Sequence, residues 1–189
     1  MTSWTRLILV LLCSAVTPVL CCDWLRHYGH LSNISLTLVQ VMGGQLTDQE
    51  SPVPFPYRLY ERIRKDEVES QLVFIRDSLE LIAGLYHHDN RSSVTWDTDK
   101  TERFLMTIDR QTDGLKSCVS THSRKNMSRQ RRYYRRLENS TLYRTGGSPE
   151  SWELIRKETK LHLEQLDLLA AFVVDSSAAS RRRSTETRH

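Results

Sequence analysis

Seven cations crowd one short stretch of this 189-residue sequence: Arg124, Lys125, Arg129, Arg131, Arg132, Arg135 and Arg136, with Tyr133, Tyr134, Leu137 and Tyr143 between and after them. Guanidinium groups at this density can hold sulfate, phosphate or carboxylate, so the run could grip an anionic polysaccharide, a nucleic acid or an acidic protein face. Arg131, Arg132, Arg135 and Arg136 are the candidates for such a polyanion contact. The plainer reading is a solvated helix face whose aromatic residues pack inward. Net charge does not decide between them. The formal value is +4, but Arg6 lies in a leader-like segment and four Arg against Glu186 lie in the last fourteen residues, which leaves 22 basic and 22 acidic residues from Cys22 to Asp175. The body is neutral, and its basic character is local.

Other groups that could do chemistry do not assemble into a recognised pattern. There is no G-x-S-x-G, no phosphate-cradling glycine loop and no H-E-x-x-H. His27 and His30 are spaced to share a helix face, yet no third ligand stands near them, and His87-His88 reads as a helix end. No pair of carboxylates stands out for acid–base work, because nothing in the sequence supplies the shared apolar pocket that would raise one pKa. No catalytic residue, metal or cofactor is assigned, and the chain is not read as an enzyme.

Cysteine offers one covalent possibility. Arg6 followed by the apolar run Leu7–Cys13 and smaller residues to Cys21 makes residues 1–21 a secretory leader, too short to remain as a membrane anchor. Cys13 and Cys21 leave with it. Cys22 and Cys118 are then expected to pair, as cysteines of a secreted chain do, and closing a loop of about 100 residues stabilises a fold by roughly 4–5 kcal/mol. The alternative is a buried free thiol at Cys118. Four Asn-x-Ser/Thr triplets, at Asn33, Asn90, Asn126 and Asn139, fit the same extracellular setting. Residues 22–175 form one domain, and 176–189, small, polar and Arg-rich, should remain disordered.

The elements that must position these groups are helical throughout. Leu31, Ile34, Leu38 and Val41 mark a first helix ended by Gly43-Gly44. A long irregular connection follows to Pro56, with Phe55, Tyr57, Leu59 and Tyr60 available to pin it. Asp66 and Glu69 make a capping-box signature before Val68, Leu72, Ile75, Leu79, Ile82 and Tyr86, spaced by fours and threes. Asp99 and Glu102 open a helix whose Phe104, Ile108, Leu115 and Cys118 share a face. Ser128 to about Tyr143 carries the basic cluster. The longest run, Ser148 to Val174, starts with a capping Ser and Pro149, and its second half from Leu161 is apolar on nearly every side, as suits a helix surrounded by others. Five main helices with a long first crossover and short later connections are the pattern of an up-up-down-down cytokine bundle, all-α.

Within that last run, Trp152-Glu153-Leu-Ile-Arg156-Lys-Glu158 resembles the Trp-Glu-x-x-Arg-x-Glu signature of type I interferons. Other anchors fall in order: Cys22-Asp23, Val41-Met42-Gly43, Phe55-Pro56, Phe74-Ile75-Arg76-Asp77, Leu85-Tyr86, and Arg110-Gln111 through Gly114-Leu115 to Cys118. The likeness is to the fish members with a single disulfide, because Ser151 stands where many relatives place a cysteine. It implies a monomeric, secreted, antiviral cytokine of innate immunity that binds two class II cytokine receptor chains and acts through kinases and transcription factors. By the same resemblance, the long loop and an exposed edge of the last helix, Arg156, Lys157, Lys160 and Glu164, meet one receptor chain. The stretches around Arg76–Glu80 and Arg103–Arg110 meet the other, and Trp152 is a core anchor. Two readings stand beside this one: a polyanion-binding or membrane-active defence protein, and another helical cytokine of interleukin-10 or type III interferon type.

Overall fold

The computed structural model describes residues 22, 24–87, 91, 93–119 and 127–186. The leader 1–21, Asn90, Asn126, Arg124 and Lys125 therefore lie outside the described residues. Helices follow in the order α1 (Trp24–Val41), α2 (Tyr57–Ile63), α3 (Val68–Leu85), α4 (Thr98–Lys116), α5 (Met127–Glu138) and α6 (Pro149–Glu186), and α5 runs on into a π-helical turn, Asn139–Tyr143. No strand occurs among the described residues.

Four of these helices form the core, with α1 against α4, α4 against α3, α3 against α6 and α6 against α1. Their directions follow from which ends meet. Cys22, just before α1, is bonded to Cys118, just after α4, across 96 positions. At the opposite end the Asp97 amide donates to Met42 O at 2.7 Å. Helices α1 and α4 are therefore antiparallel. Tyr86, after α3, stacks near Phe104 of α4 at 5.4 Å and Trp152 of α6 at 6.1 Å, while Ile75 and Leu79 share a hollow with Leu163 and Leu166. Every adjacent pair is thus antiparallel, which makes α1 and α3 parallel to each other and α4 and α6 parallel to each other. The long crossover exists because a parallel neighbour can be reached only by travelling the length of the bundle.

Most helices lie where periodicity put them, and the differences have local causes. Helix α1 starts at Trp24, well before Leu31, because Trp24 packs on Gly114 of α4, where an added Cβ would meet its ring at 3.0 Å. Its buried residues are Trp24, Ser32, Ser35, Leu38 and Val39; of the expected stripe Leu38 is buried, Leu31 and Ile34 pack partly buried against the core, and Val41 is exposed. Small Ser35 fits the close α1–α4 approach and accepts from Gln111 Nε2 at 2.9 Å. Helix α3 begins at Val68 with Glu67 as its N-cap, one position later than the Asp66 signature implies, and Gln71 Nε2 donates to Arg64 O and Asp66 O just before it. Asp97, not Asp99, caps α4, accepting from the Lys100 amide at 3.0 Å.

Two further departures concern α6. It was expected to be enclosed from Leu161 onward, yet Leu168 is 52% and Phe172 is 41% exposed, while Leu163, Leu166, Leu169, Ala170 and Val173 are buried. A bundle with four core helices covers only one face of each member. The helix also continues past Asp175 to Glu186, through the segment expected to be disordered. Ser176 and Ser177 hydroxyls donate back to Val173 O, and the alanines and arginines that follow are good helix formers.

Candidate functional site

The site is built on the first three turns of α6 and the loop that lies across them. Gly146 and Gly147 take φ of 67° and 75°, a left-handed turn that other residues resist, and so reverse the chain into Pro149. The Ser151 amide then closes on Ser148 Oγ at 3.4 Å. Trp152 is fully buried, 5.9 Å from the Trp96 ring in an edge-on contact. Helical spacing puts Arg156 one turn further along the same buried face as Trp152.

Arg156 is 0% exposed, and this corrects the expectation that it belongs to an exposed edge. All five of its N–H donors are used. Nε donates to Glu153 Oε2 at 2.8 Å, with Nη2 also 2.7 Å from that oxygen. Nη1 donates to Val39 O and Gln40 O at 3.3 and 3.0 Å, and Nη2 to Gly44 O and Gln45 O at 2.7 and 3.2 Å. The last carbonyls of any helix lack intrahelical donors and carry the negative end of its dipole. Arg156 supplies both donors and charge to the end of α1 and ties the start of the crossover to α6. Glu153 is held in turn by Trp96 Nε1 at 2.7 Å. Gly43 is required here by space, since an added Cβ would lie 2.7 Å from Trp96 Cδ1.

The next ties run down the crossover. Lys157 Nζ donates to Gln49 O at 2.7 Å. The Tyr60 hydroxyl pairs with His162 Nδ1 at 2.6 Å, and Phe55 lies 4.6 Å from the same imidazole. Burial pushes His162 down to a pKa of about 3, so it is a neutral hydrogen-bonding ring at physiological pH. Glu158, the last signature residue, is buried and accepts from Tyr133 Oη at 3.0 Å. Desolvation raises its carboxyl pKa, with the Tyr133 bond acting the other way. Of the four residues expected at the edge, Lys157, Lys160 and Glu164 are partly exposed, and Lys160 is ion-paired with Glu164 one turn on.

Elsewhere, Arg131, Arg132, Arg135 and Arg136 are all exposed, while Tyr133, Tyr134 and Leu137 turn inward. Asn33 and Asn139 are exposed. On the opposite helices Arg76 is spent on Asp77 at 2.7 Å, whereas Arg103 and Arg110 are exposed. Among the described residues no three His, Cys, Asp or Glu side chains gather in a way that could hold a metal ion. Sequence reasoning missed His162, whose partner is 102 positions away, and Glu153 as the clamp on Arg156. A polar residue inside an apolar run was the available signal for the former.

An up-up-down-down helical core, with an overhand crossover strapped to the last helix and a disulfide joining α1 to α4, is the architecture of a helical cytokine. Residues 29–172 match the interferon alpha/beta domain, and the chain belongs to that family of non-enzymatic signalling proteins, as a type I interferon of the fish type. It is 42% identical over 172 residues to interferon a3 of Oncorhynchus mykiss, covering 90% of this chain and 97% of that protein. Its structure resembles that of zebrafish interferon 1 with a TM-score of 0.74 and 34% identity, over 80% of this chain and 99% of the other. Homologues in the family are secreted cytokines, and no described helix is long and apolar enough to cross a membrane.

Proposed function

We propose that this chain is a secreted antiviral cytokine that engages two class II cytokine receptor chains and signals through their kinases and transcription factors. The observation that supports this reading is the Arg156 clamp. It spends a fully buried guanidinium on fixing the crossover against α6, so that the loop and the partly exposed Lys157, Lys160 and Glu164 form one preorganised surface. Preorganisation lowers the ordering cost of binding, and a mixed-charge edge favours selective encounter with a complementary partner. In this scheme Arg156 is a positioning residue and the edge makes the contact. The buried Leu163, Leu166, Leu169, Ala170 and Val173 further along α6 mainly hold the domain together.

The test uses interferon-responsive transcription in cells carrying matched receptor pairs, with each chain removed in turn. Lys157→Glu with Lys160→Glu should lower potency by about tenfold or more, equivalent to ~1.4 kcal/mol or more of binding, while circular dichroism shows the variant still folded. Full potency in that double variant would refute the assigned edge. Signalling that survives loss of either receptor chain would refute the two-chain reading.

A further inference from the structure

A groove of about 650 Å³ opens between α2, with the loop before it, and α5. Two rows of arginine face across it. Arg58 and Arg62, one turn apart, come from α2, while Arg129, Arg132 and Arg136, at helical spacing, come from α5. At 1.5 Å per residue the α5 row spans roughly 10 Å and the α2 row roughly 6 Å. All five side chains are exposed, none has an ion-pair partner among the described residues, and no acidic residue lines the groove. Arg131 and Arg135, on the same helix, do not line it. Its lining between the arginines is apolar, made chiefly of Phe55, Tyr57, Leu59 and Tyr133, with Tyr57 55% exposed. That lining is also fixed: Phe55 lies 4.7 Å from Tyr57 and stacks at 5.8 Å on Tyr60, which His162 anchors.

Gathering five permanent cations around one concavity repels, and no carboxylate among the residues that line it offsets this. A ligand with anions along both edges would. We infer that this groove binds a chain of a sulfated polysaccharide, with sulfate groups held by the two arginine rows and sugar rings lying on Tyr57 and Phe55. Guanidinium forks match the oxygens of sulfate, and arginine in place of lysine at all five positions favours that bidentate geometry. An extended acidic peptide is less well served. Both walls with charge are helices, which present no continuous backbone edge for a strand to pair with. The inference does not depend on the signalling reading, because binding is measured on the purified protein without any receptor.

The probe is a size-defined heparin oligosaccharide titrated into the full chain by calorimetry at several salt concentrations. The groove variant Arg62→Gln/Arg132→Gln/Arg136→Gln should bind about tenfold more weakly or worse, with a salt slope reduced by about one per arginine removed. Arg131→Gln/Arg135→Gln/Arg144→Gln, which removes the same charge from exposed positions off the groove, should change affinity by less than about threefold. Tyr57→Ser should weaken binding while leaving the salt slope unchanged. Because every altered side chain is exposed, circular dichroism should show all variants folded. Equal losses in the two triple variants would overturn the inference in favour of diffuse charge. Equally tight binding of desulfated heparin, or single-stranded RNA displacing heparin at lower concentration, would overturn it in favour of another anion.

Discussion

Arginine is put to opposite uses on the two ends of the crossover. At its start, Arg156 is buried, all five donors are engaged, and its charge sits against the negative end of α1. At its finish, Arg58 and Arg62 stand exposed across a groove from Arg129, Arg132 and Arg136 with no carboxylate between them. The first arrangement is complete within the chain, and any ligand would have to break it. The second is incomplete, and a ligand would relieve it. Residue type therefore says little about role, whereas the balance of donors and acceptors says a great deal.

The largest effect should come from breaking the complete arrangement. Arg156→Ala leaves Glu153 with only its Trp96 bond and strips the donor from four carbonyl groups, and chemical denaturation should show a loss of about 3–5 kcal/mol. Arg156→Lys should recover only part of this, because one ammonium cannot span the acceptors that the planar fork reaches. If Arg156→Ala kept full stability while signalling fell, Arg156 would be a contact residue and the contrast would collapse.

A middle-sized effect should appear at His162, which joins the two regions by bonding Tyr60 on the inner side of the groove. Its folded pKa of about 3 lies below the ordinary 6.5, so the unfolded chain takes up the proton first and stability falls as pH drops below about 6.5. Between pH 7 and pH 5 this group should cost the native state roughly 2 kcal/mol at ~1.4 kcal/mol per pH unit. Glu158, reached through Tyr133, has a raised pKa and opposes the trend at the acid end, while Tyr60, Tyr133 and Tyr134 stay neutral throughout. Urea midpoints of the wild type and His162→Gln, compared at both pH values, isolate the histidine contribution as the difference in slope.

The smallest effect should have the opposite sign. Arg62→Gln with Arg132→Gln removes only mutual repulsion, so thermal unfolding at low salt should show no loss and a gain within about 0.5 kcal/mol. A clear destabilisation would mean that the groove arginines also belong to the folded architecture, and the two ends would no longer differ.

Much of the fold was legible locally. Leu72, Ile75, Leu79, Ile82 and Tyr86 are buried as their spacing implied, as are Phe104, Ile108, Leu115 and Cys118. Cys22 and Cys118 are bonded. Helix α2 was not foreseen, because seven residues give too short a window for periodicity and its burial comes from Tyr60 and Ile63 meeting other segments.

Helix positions, their breaks and the identity of the anchors were thus settled by residue order alone, since a 3.6-residue repeat and glycine or proline punctuation act over neighbouring positions. Arg156 could not be read that way. A charged residue beside Lys157 looks like solvent-facing surface until carbonyl groups 111 to 117 positions away arrive to accept its protons. The groove has the same character, as its two arginine rows are some seventy positions apart and become one feature only when the fold sets α2 across a concavity from α5. Side-chain fate depends on which distant partners the fold delivers, and that is a property of the tertiary structure.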